Sequence, residues 1–120
     1  MSVDSAKYLW DAVQAAERVA RFAAGMNFEG YHTDEIRRSA IERQLEILCE
    51  ALAQLRKVDA NLAVQIDDLP RAIALRNVLI HGYASADEAV VWGVVEQRLG
   101  ALSISIWRKP RVPTRVNWPW

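Results

Sequence analysis

The sequence predicts an all-α fold, an up-and-down bundle of four to five helices followed by an irregular tail. Three observations carry that expectation. Apolar residues recur at spacings of three and four over most of residues 1–106. Helix start and stop signals cut that pattern into segments. Three of the four prolines, Pro110, Pro113 and Pro119, fall together near the C-terminus. A chain of 120 residues is long enough for one domain with a core of its own and too short for two ordinary ones. The expected division is a bundle over 1–106 and a tail over 107–120.

The first helix is expected from Asp4 to about Ala24, with Leu9, Val13, Ala16, Val19, Ala20 and Ala23 on one face. Gly25 punctuates its C-terminus. Residues 26–32 read as an irregular connection with one helical turn at 28–31. Thr33 then caps a second helix, from about Asp34 to Val58, whose first turn sets Asp34 and Glu35 against the helix dipole. Ile41, Leu45, Leu48, Leu52 and Leu55 form its narrow apolar stripe, opposite Arg43, Glu46 and Glu50. Residues 59–68 are mixed in character, with room for a helical turn.

A third helix, capped by Asp67 or Asp68 and entered by Pro70 in its first turn, ends near Gly82. The fourth opens with the capping box Ser85-Ala86-Asp87-Glu88 and runs through Val91, Trp92, Val95, Leu99 and Leu102 to about Ile106. Residues 102–106 also alternate in the manner of a strand, but a lone strand would lack a pairing partner. After Trp107 the prolines forbid a continuous helix, and Trp107, Trp118 and Trp120 interleave with Arg108, Lys109, Arg111 and Arg115. Such a segment suits single-stranded nucleic acid, and equally suits folding back over the bundle or onto a second subunit.

Composition narrows the function classes. The 15 basic and 15 acidic residues balance, but with the four basic tail residues set aside, 11 basic residues face 15 acidic ones and the body stands at −4. Such a body does not bind nucleic acid by bulk electrostatics, so any RNA chemistry needs a local site, the tail or a partner. One cysteine, Cys49, precludes an internal disulfide, and Met1-Ser2-Val3-Asp4 does not read as a secretion signal. A cytoplasmic protein is expected, with no membrane helix. Cys49 and His32 lack the clustered spacing of metal ligands. No metal or cofactor is expected, and Cys49 reads as packing.

The third helix carries the chemistry. Ala72, Ile73, Leu75, Val78, Leu79 and Ile80 spread around an arc wider than one core stripe, which predicts the bundle core on one side and a second subunit on the other. Arg76 and Tyr83 point into that arc, about 20° apart on an ideal helix, while His81 lies about 140° from Arg76. A long arginine, a last turn loosened at Gly82, or a second copy of the chain would bring the pair together. An arginine in apolar surroundings also needs an acidic partner, for which Glu46 and Glu50 are the candidates, although both read equally as a solvated face. Beside each other, a permanent cation and a group titrating near neutrality suit RNA cleavage. The imidazole takes a proton from the 2′-hydroxyl or gives one to the leaving 5′-oxygen, and the guanidinium stabilises the extra charge on phosphorus.

The segment Arg76-Asn77 to His81-Gly82-Tyr83 resembles the catalytic stretch of HEPN-domain proteins, in particular the HepT-like ribonuclease toxins partnered by the minimal nucleotidyltransferase antitoxin MntA. Tyr8-Leu9-Trp10-Asp11 is similar to the opening of that family's first helix, and Arg43 to Ala51 to its second. The likeness covers roughly residues 5–100. It implies an HEPN-like fold and a metal-independent endoribonuclease, with Arg76 and His81 catalytic at a homodimer interface. Asn77 would support them, and Tyr83 would be the tyrosine that the partner AMPylates; Glu46 joins the supporting residues on the separate ground that Arg76 needs a carboxylate. The rival implied by the same likeness is a non-catalytic nucleotide-binding or docking subunit of a nucleotidyltransferase complex.

Overall fold

The structure, a computed structural model, describes residues 2–81 and 85–100, without the side chains of 81 and 85–87. Six helices are present among these residues: α1 (Val3–Phe22), α2 (Phe28–Thr33), α3 (Glu35–Val58), α4 (Ala60–Ala63), α5 (Leu69–His81) and α6 (Ser85–Gln97). The expected all-α bundle is borne out. The two additional helices are short connectors, α2 between α1 and α3 and α4 between α3 and α5.

The α1–α3 pair is the main packing unit, α5 lies against α3, and α6 against α2 and α5. The stripe read from α3 is the core itself: Ile41, Leu45, Leu48, Leu52 and Leu55 are all at most 1% exposed. Each such side chain contributes about 1.5–3 kcal/mol relative to exposure. Facing them are Leu9, Val13, Ala16 and Val19, joined by Ala12 and Ala15, whose small side chains admit close approach of the two helices. Ala20, expected in this stripe, is exposed.

Polar groups close the helix ends. At the C-terminus of α1, Gly25 adopts φ 73°, the left-handed conformation that glycine tolerates best. The Arg37 side chain then donates to the carbonyls of Phe22 (2.9 and 2.6 Å) and Ala24 (3.0 Å). The N-cap of α3 is Asp34, which accepts from the Arg37 N–H at 3.0 Å. Thr33, expected in that role, ends α2 and donates its hydroxyl to the Glu29 carbonyl. Asp59 ties three helices together. One carboxylate oxygen caps α4 at the Leu62 N–H and the other accepts from the buried Ser5 of α1.

Asp68 takes φ 59°, a conformation in which aspartate is enriched, and its carbonyl accepts from the Ala72 N–H. Its carboxylate turns to Arg98 (3.2 Å) and Arg71 (3.9 Å). Glu88, the last residue of the expected capping box, also reaches beyond its own helix, and the Ser85 side chain of that box lies outside the described residues. The two Glu88 oxygens meet His32 Nδ1 at 2.5 Å and Arg38 at 3.5 Å, which ties α6 to α2 and α3. Beneath this cluster Tyr31 is fully buried, donates to Glu42 at 2.7 Å, and lies with its ring 5.3 Å from that of Trp92. Burial and the neighbouring carboxylates raise its hydroxyl pKa.

The α6 helix spans Ser85–Gln97, and after one turn residue at 98 the chain is again helical at 99–100; the rest of the expected run to Ile106 lies outside the described residues. The stretch beyond residue 100, including the strand-like 102–106 and the tail over 107–120, lies outside the described residues, as does Tyr83. Among the described residues no helix is long and apolar enough to cross a membrane.

Candidate active site around Arg76

The core face of α5 is built from Leu69, Ala72 and Leu75, spaced by three and each at most 8% exposed. This face sets the helix on α3 and fixes where its remaining side chains emerge. Cys49 of α3 anchors the contact by donating its thiol hydrogen to the Ala72 carbonyl at 2.9 Å. Burial pushes the Cys49 pKa up to about 12, only partly countered by the nearby Arg76 guanidinium. The thiol is therefore a packing group and donor, as expected, rather than a nucleophile.

Arg76 emerges one turn beyond Ala72, at the edge of this contact. Its Nη2 lies 3.2 Å from Glu50 Oε2, and the two side chains are 42% and 46% exposed. Gln54, one turn along α3, donates to the other Glu50 oxygen at 2.9 Å. The result is a relay, Gln54 to Glu50 to Arg76, that holds the guanidinium in one orientation while leaving half of it open to solvent. Of the two carboxylates considered as partners, Glu50 meets Arg76. Glu46 is paired with Arg43 at 3.2 Å, although it lies close enough to Cys49 to act on the same thiol. Gln54 was not foreseen; its spacing of four from Glu50 is the signal that pointed to it.

The rest of α5 is apolar without being buried. Ile73, Val78 and Leu79 are half-buried, Ile80 is 50% exposed, and Asn77 is exposed. Projected down the helix, Ile73, Arg76 and Ile80 fall within about 60° of one another, so Arg76 sits in an open apolar strip. The helix runs unbroken through His81. The backbone positions of Arg76 and His81 therefore keep the separation of about 140° given by ideal geometry. The His81 side chain and all of Tyr83 are outside the described part.

An all-α bundle presenting a tethered, half-open arginine on a helix that ends in histidine fits the class of RNA-cleaving helical proteins. The family model described as Ribonuclease HepT-like matches residues 12–106, and the chain belongs to this HepT-like ribonuclease family, a family of RNA endonucleases with the HEPN-like fold. A Methanocaldococcus jannaschii protein that carries a provisional RNase name is 27% identical over 96 residues, covering 78% of this chain and 85% of the relative. A Thermococcus cleftensis protein, provisionally named ribonuclease HepT, is 30% identical over 95 residues, covering 79% and 86%. No solved structure matches the chain at a significant level.

Proposed function

We propose that the protein is the toxin of a toxin–antitoxin pair, a cytoplasmic endoribonuclease that cleaves RNA at a composite Arg76/His81 site between two copies of the chain. The observation that carries this reading is the half-open Arg76 guanidinium, held by Glu50 in an exposed apolar strip of α5. The strip supports a dimer, because exposed apolar surface on a helix is best explained by a partner that covers it. The unbroken helix supports the same conclusion. With about 140° between the two positions, a second protomer is the simplest source of a histidine facing a given arginine.

In this mechanism neutral His81 removes the 2′-hydroxyl proton as that oxygen attacks the adjacent phosphorus. A protonated imidazole delivers a proton to the departing 5′-oxygen, leaving a 2′,3′-cyclic phosphate and a free 5′-hydroxyl. Arg76 neutralises the charge gathering on the non-bridging oxygens, a task that a metal performs in other nucleases. Asn77, exposed one residue further on, serves as a hydrogen-bond donor to the phosphate in this reading, and Glu46 shapes the charge around it. Dependence on the 2′-hydroxyl restricts the substrate to RNA. A nucleotidyltransferase partner of the MntA type neutralises the toxin by transferring AMP to Tyr83, which adds bulk and negative charge beside the site.

The purified chain should cleave RNA in the presence of a chelator, and Arg76→Ala and His81→Ala should each lower cleavage by about 10²-fold or more. Activity equal to the parent in both variants overturns the catalytic assignment. Intact mass after co-expression with the partner tests the control step. AMP increments that vanish in Tyr83→Phe support it, and a neutralised but unmodified protein refutes it.

A further inference from the structure

We propose that the cleft between α1 and α3 is a base-binding subsite that selects guanine next to the cleaved phosphodiester, through Tyr8, Asp11 and Arg43. The proposal rests on the ribonuclease reading of Arg76 and extends it from the reaction to the substrate. The cleft encloses about 200 Å³ and is lined by Tyr8 and Asp11 of α1 and by Arg43, Ile47, Glu50 and Gln54, among others, of α3. That is below the roughly 300–1,000 Å³ of a pocket for a whole ligand, and is the scale of a subsite for one heterocycle. Glu50 belongs to both places: it lines the cleft and touches Arg76 at 3.2 Å. A phosphate on Arg76 and a base in the cleft would thus be separated by one side chain, as within a single nucleotide.

The lining favours a base over a phosphate. Tyr8 and Asp11 are three residues apart and share one face of α1, so a ring for stacking stands beside an acceptor for hydrogen bonds. Ile47 supplies apolar surface for the opposite side of a planar ring. Two of the carboxylates are already engaged, Glu46 by Arg43 at 3.2 Å and Glu50 by Arg76 and Gln54. Asp11 has its pKa raised because burial strips water from its carboxylate, an effect that Lys7 and Arg18 only partly offset. A partly desolvated carboxylate gains most from a ligand that brings N–H donors.

Among the four RNA bases only guanine presents two adjacent donors, N1–H and the exocyclic N2–H, which match the two oxygens of one carboxylate. Adenine and cytosine set an acceptor nitrogen beside their amino group, and uracil flanks its single N–H with carbonyls. The backbone of the bound nucleotide is left to Arg43, whose side chain is 69% exposed at the rim.

The test is cleavage of a randomised RNA pool by the full chain, with both new ends sequenced. The parent should show guanine enriched at a fixed position beside the cut. Asp11→Asn, isosteric but with one acceptor replaced by a donor, should erase that enrichment. Tyr8→Ala should raise KM for a guanine-containing oligonucleotide about tenfold, with kcat within about twofold and Tyr8→Phe restoring the parent value. Arg43→Ala should weaken binding to every sequence alike. Cleavage without guanine preference, a guanine preference that survives Asp11→Asn, or an unchanged KM in Tyr8→Ala overturns the subsite while leaving the ribonuclease reading intact. A parent that cleaves no RNA overturns both.

Discussion

Replacing Arg76 by alanine separates a structural role from a catalytic one, because the structure assigns the two effects very different sizes. The Arg76–Glu50 pair is one contact of 3.2 Å between side chains 42% and 46% exposed. Pairs as open as this are screened by water and salt and contribute about 0.2–1 kcal/mol. Losing the arginine leaves Glu50 solvated and still hydrogen-bonded to Gln54 at 2.9 Å, so no buried charge is stranded. The expected loss is at most about 1 kcal/mol, a fall in Tm of about 3–5 °C for a domain of this size. The catalytic loss should be far larger, about 10²–10³-fold in kcat, the usual effect of removing a group that stabilises transition-state charge. Thermal unfolding and RNA cleavage measured on the same preparation provide both numbers. A variant that melts more than about 10 °C lower, or that cleaves within a few-fold of the parent, refutes the reasoning.

Other substitutions probe the scaffold and the interface. Gly25→Ala forces a side chain into φ 73° and should cost about 1 kcal/mol in denaturant unfolding without changing cleavage by the folded fraction. Ile80→Arg places a charge on the open strip of α5, where Ile80 is 50% exposed; the isolated fold should keep its stability, whereas light scattering should show the proposed dimer of the parent and a monomer for the variant. For Cys49, folded pKa about 12 exceeds the unfolded value near 9, so between these limits the unfolded chain has released a proton that the folded chain retains. Stability from this group is complete below about pH 9 and declines as pH rises toward 12, and parent minus Cys49→Ala should show that slope. Alkylation of the folded protein at pH 8 should correspondingly be slow until denaturant is added.

Much of the fold was legible because its main helices carry their own instructions. The α3 stripe from Ile41 to Leu55 has a single period and one buried face, so both its existence and its ends at Glu35 and Val58 agree with the pattern within a residue or so. Adjacent cap candidates were harder to separate. Thr33 and Asp34 are both good N-caps, and the choice fell to Asp34 because Thr33 ends α2 instead. Glu88 has the spacing of a capping box, and no local pattern announces that its oxygens also reach long-range partners on α2 and α3. The need of Arg76 for a carboxylate followed from the apolar sequence around it. Whether Glu46 or Glu50 supplies it depends on how α3 and α5 cross, a tertiary fact with no local signature. The cleft beside the arginine is of the same kind, since Tyr8 and Asp11 belong to a helix more than thirty residues before the α3 residues they face.

The central claim is that the active site is shared between protomers, and complementation tests it most directly. Arg76→Ala and His81→Ala chains, each inactive alone, are unfolded together, refolded as a mixture and assayed on RNA. If an arginine works with its partner's histidine, the mixed dimers keep one intact site, and about a quarter of the parental specific activity should return. If each chain carries its own complete site, every site in the mixture lacks one residue. A mixture no more active than its components would contradict the account.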